Sequence, residues 1–201
     1  MTETSAPRLY PDGARSLQDQ FDSRRLADRL SELTVKDGLD DRQRDFIGRA
    51  SYFFLGTTDA DGFPDVSHKG GRPGFVRVLD DTTLRFPSYD GNGMFRSLGN
   101  IVDTGKVSLL FIRQDDRPVR IRLHGVARVL TDAEALADFE GAEAVVEVTV
   151  GRSFPNCPRY IHNQVTGELS DASPGEDHDP PTPDWKQWDE FKDVLPGSSS
   201  G

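Results

Sequence analysis

The spacing of apolar positions changes character along this chain. Between residues 16 and 33, Leu17, Phe21, Leu26, Leu30 and Leu33 recur among many charges and predict a helical stripe. Phe46, Ile47 and Ala50 give one apolar side to a second predicted helix, Asp41 to Ala50, with Asp40 or Asp41 as its cap. From residue 51 the period shortens. The run SYFFLGTT (51–58) is continuous, aromatic and threonine-rich, and predicts a strand buried on both faces. DADG follows as a turn whose glycine suits a positive φ, and FPDVSHK is the returning strand. FVRVL, LRFPS, KVSLLFI, VRIRLHGVARVL and VVEVTV complete a set of seven. In VRIRLHGVARVL (119–130), Val119, Ile121, Leu123, Ala127 and Val129 form an apolar face, and Arg120, Arg122 and His124 a polar one.

These strands follow one another at hairpin spacing, with one helical segment between the fourth and fifth and no alternation of strands and helices. The pattern predicts a mainly β protein, a closed or nearly closed antiparallel barrel. The intervening helix lies in DGNGMFRSLGNIV (90–102), where Met94, Leu98 and Ile101 share a side and Asn92 is the expected cap. After the barrel, FPNCPRYIHN is a stiff irregular segment. GELSDASPGEDHDPPTPD is acidic and proline-rich, the composition of a linker. WKQWDEFKDVL then sets Trp185, Trp188 and Leu195 at helical spacing beside Phe191 and predicts a short terminal helix that docks on an apolar partner. The closing PGSSSG has the composition of a flexible tail.

Composition narrows the function classes. The net charge of −10 over 201 residues, with no extended basic stretch, argues against nucleic acid or an anionic membrane as partner. No apolar run approaches the ~20 residues that span a bilayer. Cys157 is the single cysteine, so no internal disulfide forms, and the opening residues lack the basic and apolar blocks of a signal peptide; a cytoplasmic location is expected. Four scattered histidines lack zinc-ligand spacing, and no metal is expected.

Against that acidic background, SHKGGRPGFVRV (67–78) stands out. Ser67 and Lys69 share a strand face, Gly70 and Gly71 allow close backbone approach to a ligand, and Arg72 and Arg77 add charge. The segment reads either as a solvated hairpin loop or as part of an anion cradle. It has neither the P-loop spacing nor the dinucleotide-binding glycine pattern. A helix start near Asn92, with Arg96, Ser97 and Asn100 as further donors, would add unpaired amides and the positive end of a helix dipole, which suits a phosphate.

FFLGTTDADGFPDVSHKGG, DGNGMFRSLGNI, and KVSLLFI followed by RPVRIRLHGVARVL resemble, in collinear order over residues 41–165, the pyridoxamine 5′-phosphate oxidase-like family of FMN-binding split barrels. FPNCPRYIH resembles a segment in a subgroup described only as FMN-binding. The resemblance implies a six-stranded antiparallel split barrel that pairs as a homodimer, with FMN in the dimer groove. Carried onto this chain, the implied cofactor-binding residues are Ser67, Lys69 and Arg77 from the strands, then Ser88, Asn92, Ser97 and Asn100, with the backbone of Phe75 and Val76 along the flavin ring. Arg159 and Tyr160 are candidates for the substrate side. Cys157 reads as a packed thiol.

The departures from the authentic oxidase are Ser67 where the family has arginine, the following insertion, Arg77 where lysine is usual, NGMFRS for the serine-arginine-lysine cluster, and no carboxy-terminal arginine- and histidine-bearing substrate motif. The expected function is an FMN-dependent oxidoreductase of an unidentified small molecule. The alternatives are a non-catalytic carrier of FMN or haem, with His68, His124 or His162 as haem ligand, and a deazaflavin-dependent reductase. The expected organisation is an N-terminal helical extension (1–40), the split-barrel domain (41–165), an acidic linker (166–184), and a short helix with tail (185–201).

Overall fold

Alternation within each run decides how the strands pack. Tyr52–Thr58 forms β1, in which Phe53 and Leu55 are fully buried and their neighbours half-buried. β2 (Pro64–Gly70) returns antiparallel to it, after a turn in which the Asp59 carboxylate accepts from the amides of Asp61 and Phe63. β3 is a two-residue strand, Arg77–Val78, paired with β4 (Thr83–Tyr89). β5 (Lys106–Arg113), β6 (Val119–Leu130) and β7 (Ala142–Pro155) follow. The helices are α1 (Asp12–Gln20), α2 (Arg24–Thr34), α3 (Asp41–Arg49), α4 (Arg96–Thr104), α5 (Ala133–Ala137) and α6 (Asp189–Lys192). The computed structural model describes residues 8–198, and the chain divides into two units, residues 36–157 and residues 8–35 with 158–198.

The first unit is one antiparallel sheet in the order β2-β1-β5-β6-β7-β4-β3. β2 and β3 are thus neighbours in sequence and opposite edges of the sheet. Laid flat, seven strands would hold those edges about 29 Å apart at ~4.8 Å per strand. The link from Gly70 to Arg77 reaches at most about 24 Å when fully extended, and it contains a turn closed by Phe75 N–H to the Arg72 carbonyl. The sheet therefore curls into the expected barrel. Its strand count is seven where the resemblance implies six, the difference being the short β3.

Inside the curl sit Phe53, Leu55, Leu84, Phe86, Leu109, Phe111, Leu123, Val146 and Val148, each at most 1% exposed. The Phe53 ring meets Phe86 edge-on and stacks on Phe111, both at 4.9 Å between centroids. α3 carries a full capping box, with the Asp40 carboxylate accepting from the Gln43 amide at 2.9 Å and the Gln43 side chain accepting from the Asp40 amide at 3.0 Å. The segment before it is strapped to β7 by Lys36 and Ser153, which exchange backbone hydrogen bonds of 2.9 and 2.8 Å. The buried Ser153 hydroxyl donates to the Gly38 carbonyl.

In the second unit the single helical stripe expected over 16–33 is two helices. Asp22 takes a left-handed backbone, φ 48°, between α1 and α2, and its carboxylate accepts from the Gly197 amide at 2.8 Å. Leu26 of α2 packs with Phe191 and Val194, flanked by Leu30, Trp185 and Leu195. The expected terminal helix is a 3-10 turn, Asp184–Gln187, followed by the single turn of α6, and its apolar partner is α2. Arg29 and Asp193 add an ion pair at 3.2 Å.

Candidate functional site

Cross-strand register assigns each β2 side chain to a face. Ser67 pairs with Leu55 and Lys69 with Phe53, both core residues, so Ser67 and Lys69 lie on the barrel's inner side with Asp65. There they meet α4. The Ser67 and Ser97 hydroxyls are 2.9 Å apart. Together with Ser88, Tyr89, the 90–95 loop and the first turn of α4, these residues line a cleft of about 650 Å3. Asp90 and Glu143 stand exposed on its lining, and Asp65 half-buried near Lys69.

Lys69 is the unusual group. Burial pushes its ammonium below the ordinary lysine range, and Asp65 offsets only part of that. Among the described residues it forms no hydrogen bond and no ion pair. A half-buried cation without a hydrogen bond or ion pair, its charge only partly offset by Asp65, in a cleft with two hydroxyls favours an anionic ligand.

The helix near the cleft begins later than expected. Asn92 does not cap it. Its side-chain oxygen accepts from the Met94 amide at 3.0 Å, a local turn, and the helix starts at Arg96 after Phe95 in a left-handed conformation, φ 49°. The first α-helical bond runs from Gly99 N–H to the Phe95 carbonyl at 2.7 Å. The amides of Arg96, Ser97 and Leu98 thus have no intrahelical acceptor, and all three residues line the cleft.

Of the residues expected to bind a cofactor, Ser67, Lys69, Ser88, Asn92 and Ser97 line this cleft. Asn100 does not; it is buried and donates to the Thr57 hydroxyl at 2.9 Å, pinning α4 to β1. Val76 is 1% exposed and belongs to the core, in neither cavity described here. Phe75 and Arg77 line a second cavity of about 700 Å3 with Gly70, Gly71, Asp138 and Phe139. Arg77 is engaged there, 2.8 Å from the Asp138 carboxylate and 4.9 Å above the Phe139 ring centre. Tyr89 lines both cavities, so they adjoin. Arg159 and Tyr160 belong to the second unit, where the Arg159 guanidinium lies 5.6 Å from the Tyr160 ring centre.

Sequence reasoning missed Asp65, Tyr89 and Glu143. Asp65 was readable, since it shares the two-residue period of Ser67 and Lys69. Tyr89 is placed by an irregularity of register between Ser88 and Tyr89, and Glu143 arrives from β7, remote in sequence; neither leaves a local signal. Among the described residues no group of three His, Cys, Asp or Glu side chains could hold a metal ion, and no helix is long and apolar enough to cross a membrane.

A comparison with solved structures finds HupZ of Group A Streptococcus at 25% identity, covering 58% of this chain and 93% of that one with a TM-score of 0.46. A Lactobacillus delbrueckii protein described in terms of pyridoxamine 5′-phosphate oxidase is 27% identical, covering 61% and 99%, with a TM-score of 0.47. An FMN-binding protein from Syntrophomonas wolfei is 12% identical, covering 72% and 95%, with a TM-score of 0.43. A comparison with curated proteins finds no match. The family model for pyridoxamine 5′-phosphate oxidase matches residues 39–156, more than half of the chain and nearly the whole barrel unit, and the chain belongs to that family.

Proposed function

We propose that the protein binds FMN and serves as an oxidoreductase of a small molecule, with the cofactor held in the groove of a homodimer. The observation that carries this reading is Lys69, a half-buried ammonium without a hydrogen bond or ion pair among the described residues, which lines one cleft with two serine hydroxyls and the first turn of α4. That set of donors suits a phosphate monoester. The volume of about 650 Å3 falls within the ~300–1,000 Å3 typical of small-molecule sites. Lys69, Ser67 and Ser97 would hold the phosphate, with Ser88 and Asn92 beside them, and the adjoining cavity at Phe75 and Arg77 offers room for the rest of the molecule. When bound, the flavin supplies hydride or electron transfer.

The protein's own part is to bind and orient. Tyr89, between the two cavities, is placed to contact a ligand that occupies both. Val66, Met94 and Phe95 are 68, 66 and 56% exposed on the cleft lining, and grouped exposed apolar side chains of this kind favour cover by a second copy. The split-barrel domain, residues 41–165, is the proposed cofactor-binding part, and the unpaired Cys157 suits a cytoplasmic location.

The test is a titration with FMN, followed by absorbance and flavin fluorescence. Saturation near one flavin per chain is expected, with Lys69→Ala weakening binding ~10- to 100-fold, the loss of a charge-assisted contact. A protein that leaves the FMN spectrum unchanged at all concentrations overturns the reading.

A further inference from the structure

The outward face of β6 and β7 collects cations. Arg120, Arg122 and His124 alternate on one side of β6, and the register sets Arg152 opposite His124 and Phe154 opposite Arg122. Leu123, between them, points into the core. This face is therefore the reverse of the one that carries Ser67 and Lys69, and the patch is separate from the cleft. Phe154 organises it. The Arg122 guanidinium lies 5.8 Å from the Phe154 ring centre, and His124 meets the same ring edge-on at 5.3 Å. Arg120 donates to the Cys157 carbonyl.

Elsewhere in this unit, among the described residues, the half-buried arginines Arg44, Arg85 and Arg113 each find a carboxylate, whereas the exposed Arg42, Arg72, Arg96 and Arg117 form no salt bridge. Arg44 pairs with Asp81, Arg77 with Asp138, and Arg85 and Arg128 both with Glu147. Acidic residues outnumber basic ones 34 to 24 in the sequence, so acid is not scarce. Yet among the described residues Arg120, Arg122 and Arg152 form no salt bridge. Nε of Arg120 and Nη1 of Arg152 are buried without any hydrogen-bond partner. Buried donors are rarely left unmatched in a folded protein. Burial, then the charge of Arg120, lowers the pKa of Arg122; burial, then Arg122 and Arg152, lowers that of His124. Among the described residues no carboxylate acts on either.

We propose that this face of β6 and β7 binds a small oxyanion, the carboxylate or phosphate group of a ligand, with Arg120, Arg122 and Arg152 as donors and Phe154 as the apolar wall. An oxyanion accepts from several arginines at once, and it would answer the guanidinium charge that this face gathers without a carboxylate. The site stands independently of the flavin reading.

The experiment uses the full chain with inorganic phosphate and, in a second arm, succinate, each against sodium chloride of equal ionic strength. Binding is read by calorimetry. Saturable binding of one or both anions is expected, with phosphate alone identifying a phosphate site and succinate alone a carboxylate site. Arg122→Gln and Arg152→Gln should each weaken it by roughly tenfold or more, leaving the FMN titration unchanged. No saturable binding of either anion overturns the proposal, as does binding that survives in both arginine variants or disappears only in Lys69→Ala. Should a variant fail to fold, phenylglyoxal labelling of the native chain decides. Protection of Arg122 and Arg152 by the anion supports the site, and equal labelling with and without it overturns it.

Discussion

Lys69 shows how one residue's surroundings set its chemistry. Its position, and Asp65 on the same face, were legible from the alternation in DVSHK, but its half-burial beside α4 was not, because α4 reaches it only through the fold. The lowered pKa has a measurable consequence. Only the protonated ammonium attracts a phosphate, and burial makes Lys69 release its proton at a lower pH than the ordinary 10.5. Under the FMN reading, affinity should fall as pH rises toward that lowered value, and Lys69→Met should bind weakly with this alkaline limb absent. A fluorescence titration over a pH series checks it. Asn100 makes the opposite point. It has a donor's chemistry and a place beside the expected cradle, yet its amide is consumed by Thr57. Sequence gives the donor and not the acceptor.

Among the elements, strands were easier to read than helix ends. Six of the seven strand runs form where the alternating and apolar patterns set them, since a strand's period is local to it, while FVRVL is reduced to the two residues of β3 because Phe75 closes a turn onto Arg72. Helix starts depend on which turn a polar side chain closes. Asn92 was a reasonable cap by type, but it closes a turn with Met94 and leaves α4 to start after the strained Phe95. The break at Asp22 likewise hides within a stripe of leucines. β6 carries a further device that the pattern conceals. The ladder to β7 slips between His124 and Gly125, and a Cβ at Gly125 would stand 2.2 Å from the Thr149 carbonyl oxygen. Because that obstacle is backbone, Gly125→Ala should destabilise the protein by ~1–3 kcal/mol or more. Gly99→Ala, in α4 with open space around it, should be neutral or stabilising by up to about 1 kcal/mol. Urea unfolding of both variants checks the contrast.

For the whole molecule, the family and the barrel were readable because the order of elements is itself a signature. The second unit was less so, since its core joins Leu26 to Phe191 and Val194 across most of the chain, and no local period reports such a pairing. The proposed homodimer belongs to this scale. Sedimentation at micromolar concentration should give a species of twice the 22.3 kDa chain mass, and Val66→Glu, which places charge among the exposed apolar residues at the cleft, should shift it toward monomer. A monomer at every concentration would remove the groove from the functional reading while leaving the cleft.

The strand order also dictates when the barrel can come into being. β4 has β3 on one side and, on the other, β7, which lies about sixty residues further along the chain. Until β7 emerges, the chain holds two separate pieces, the four strands β2-β1-β5-β6 and the small β3–β4 hairpin. A single late strand is the keystone that joins them, and such long-range closure makes for slow assembly. During synthesis, β4 and β6 therefore wait with open edges, and any chain that terminates before residue 142 leaves them as sticky surfaces rather than as parts of a smaller barrel.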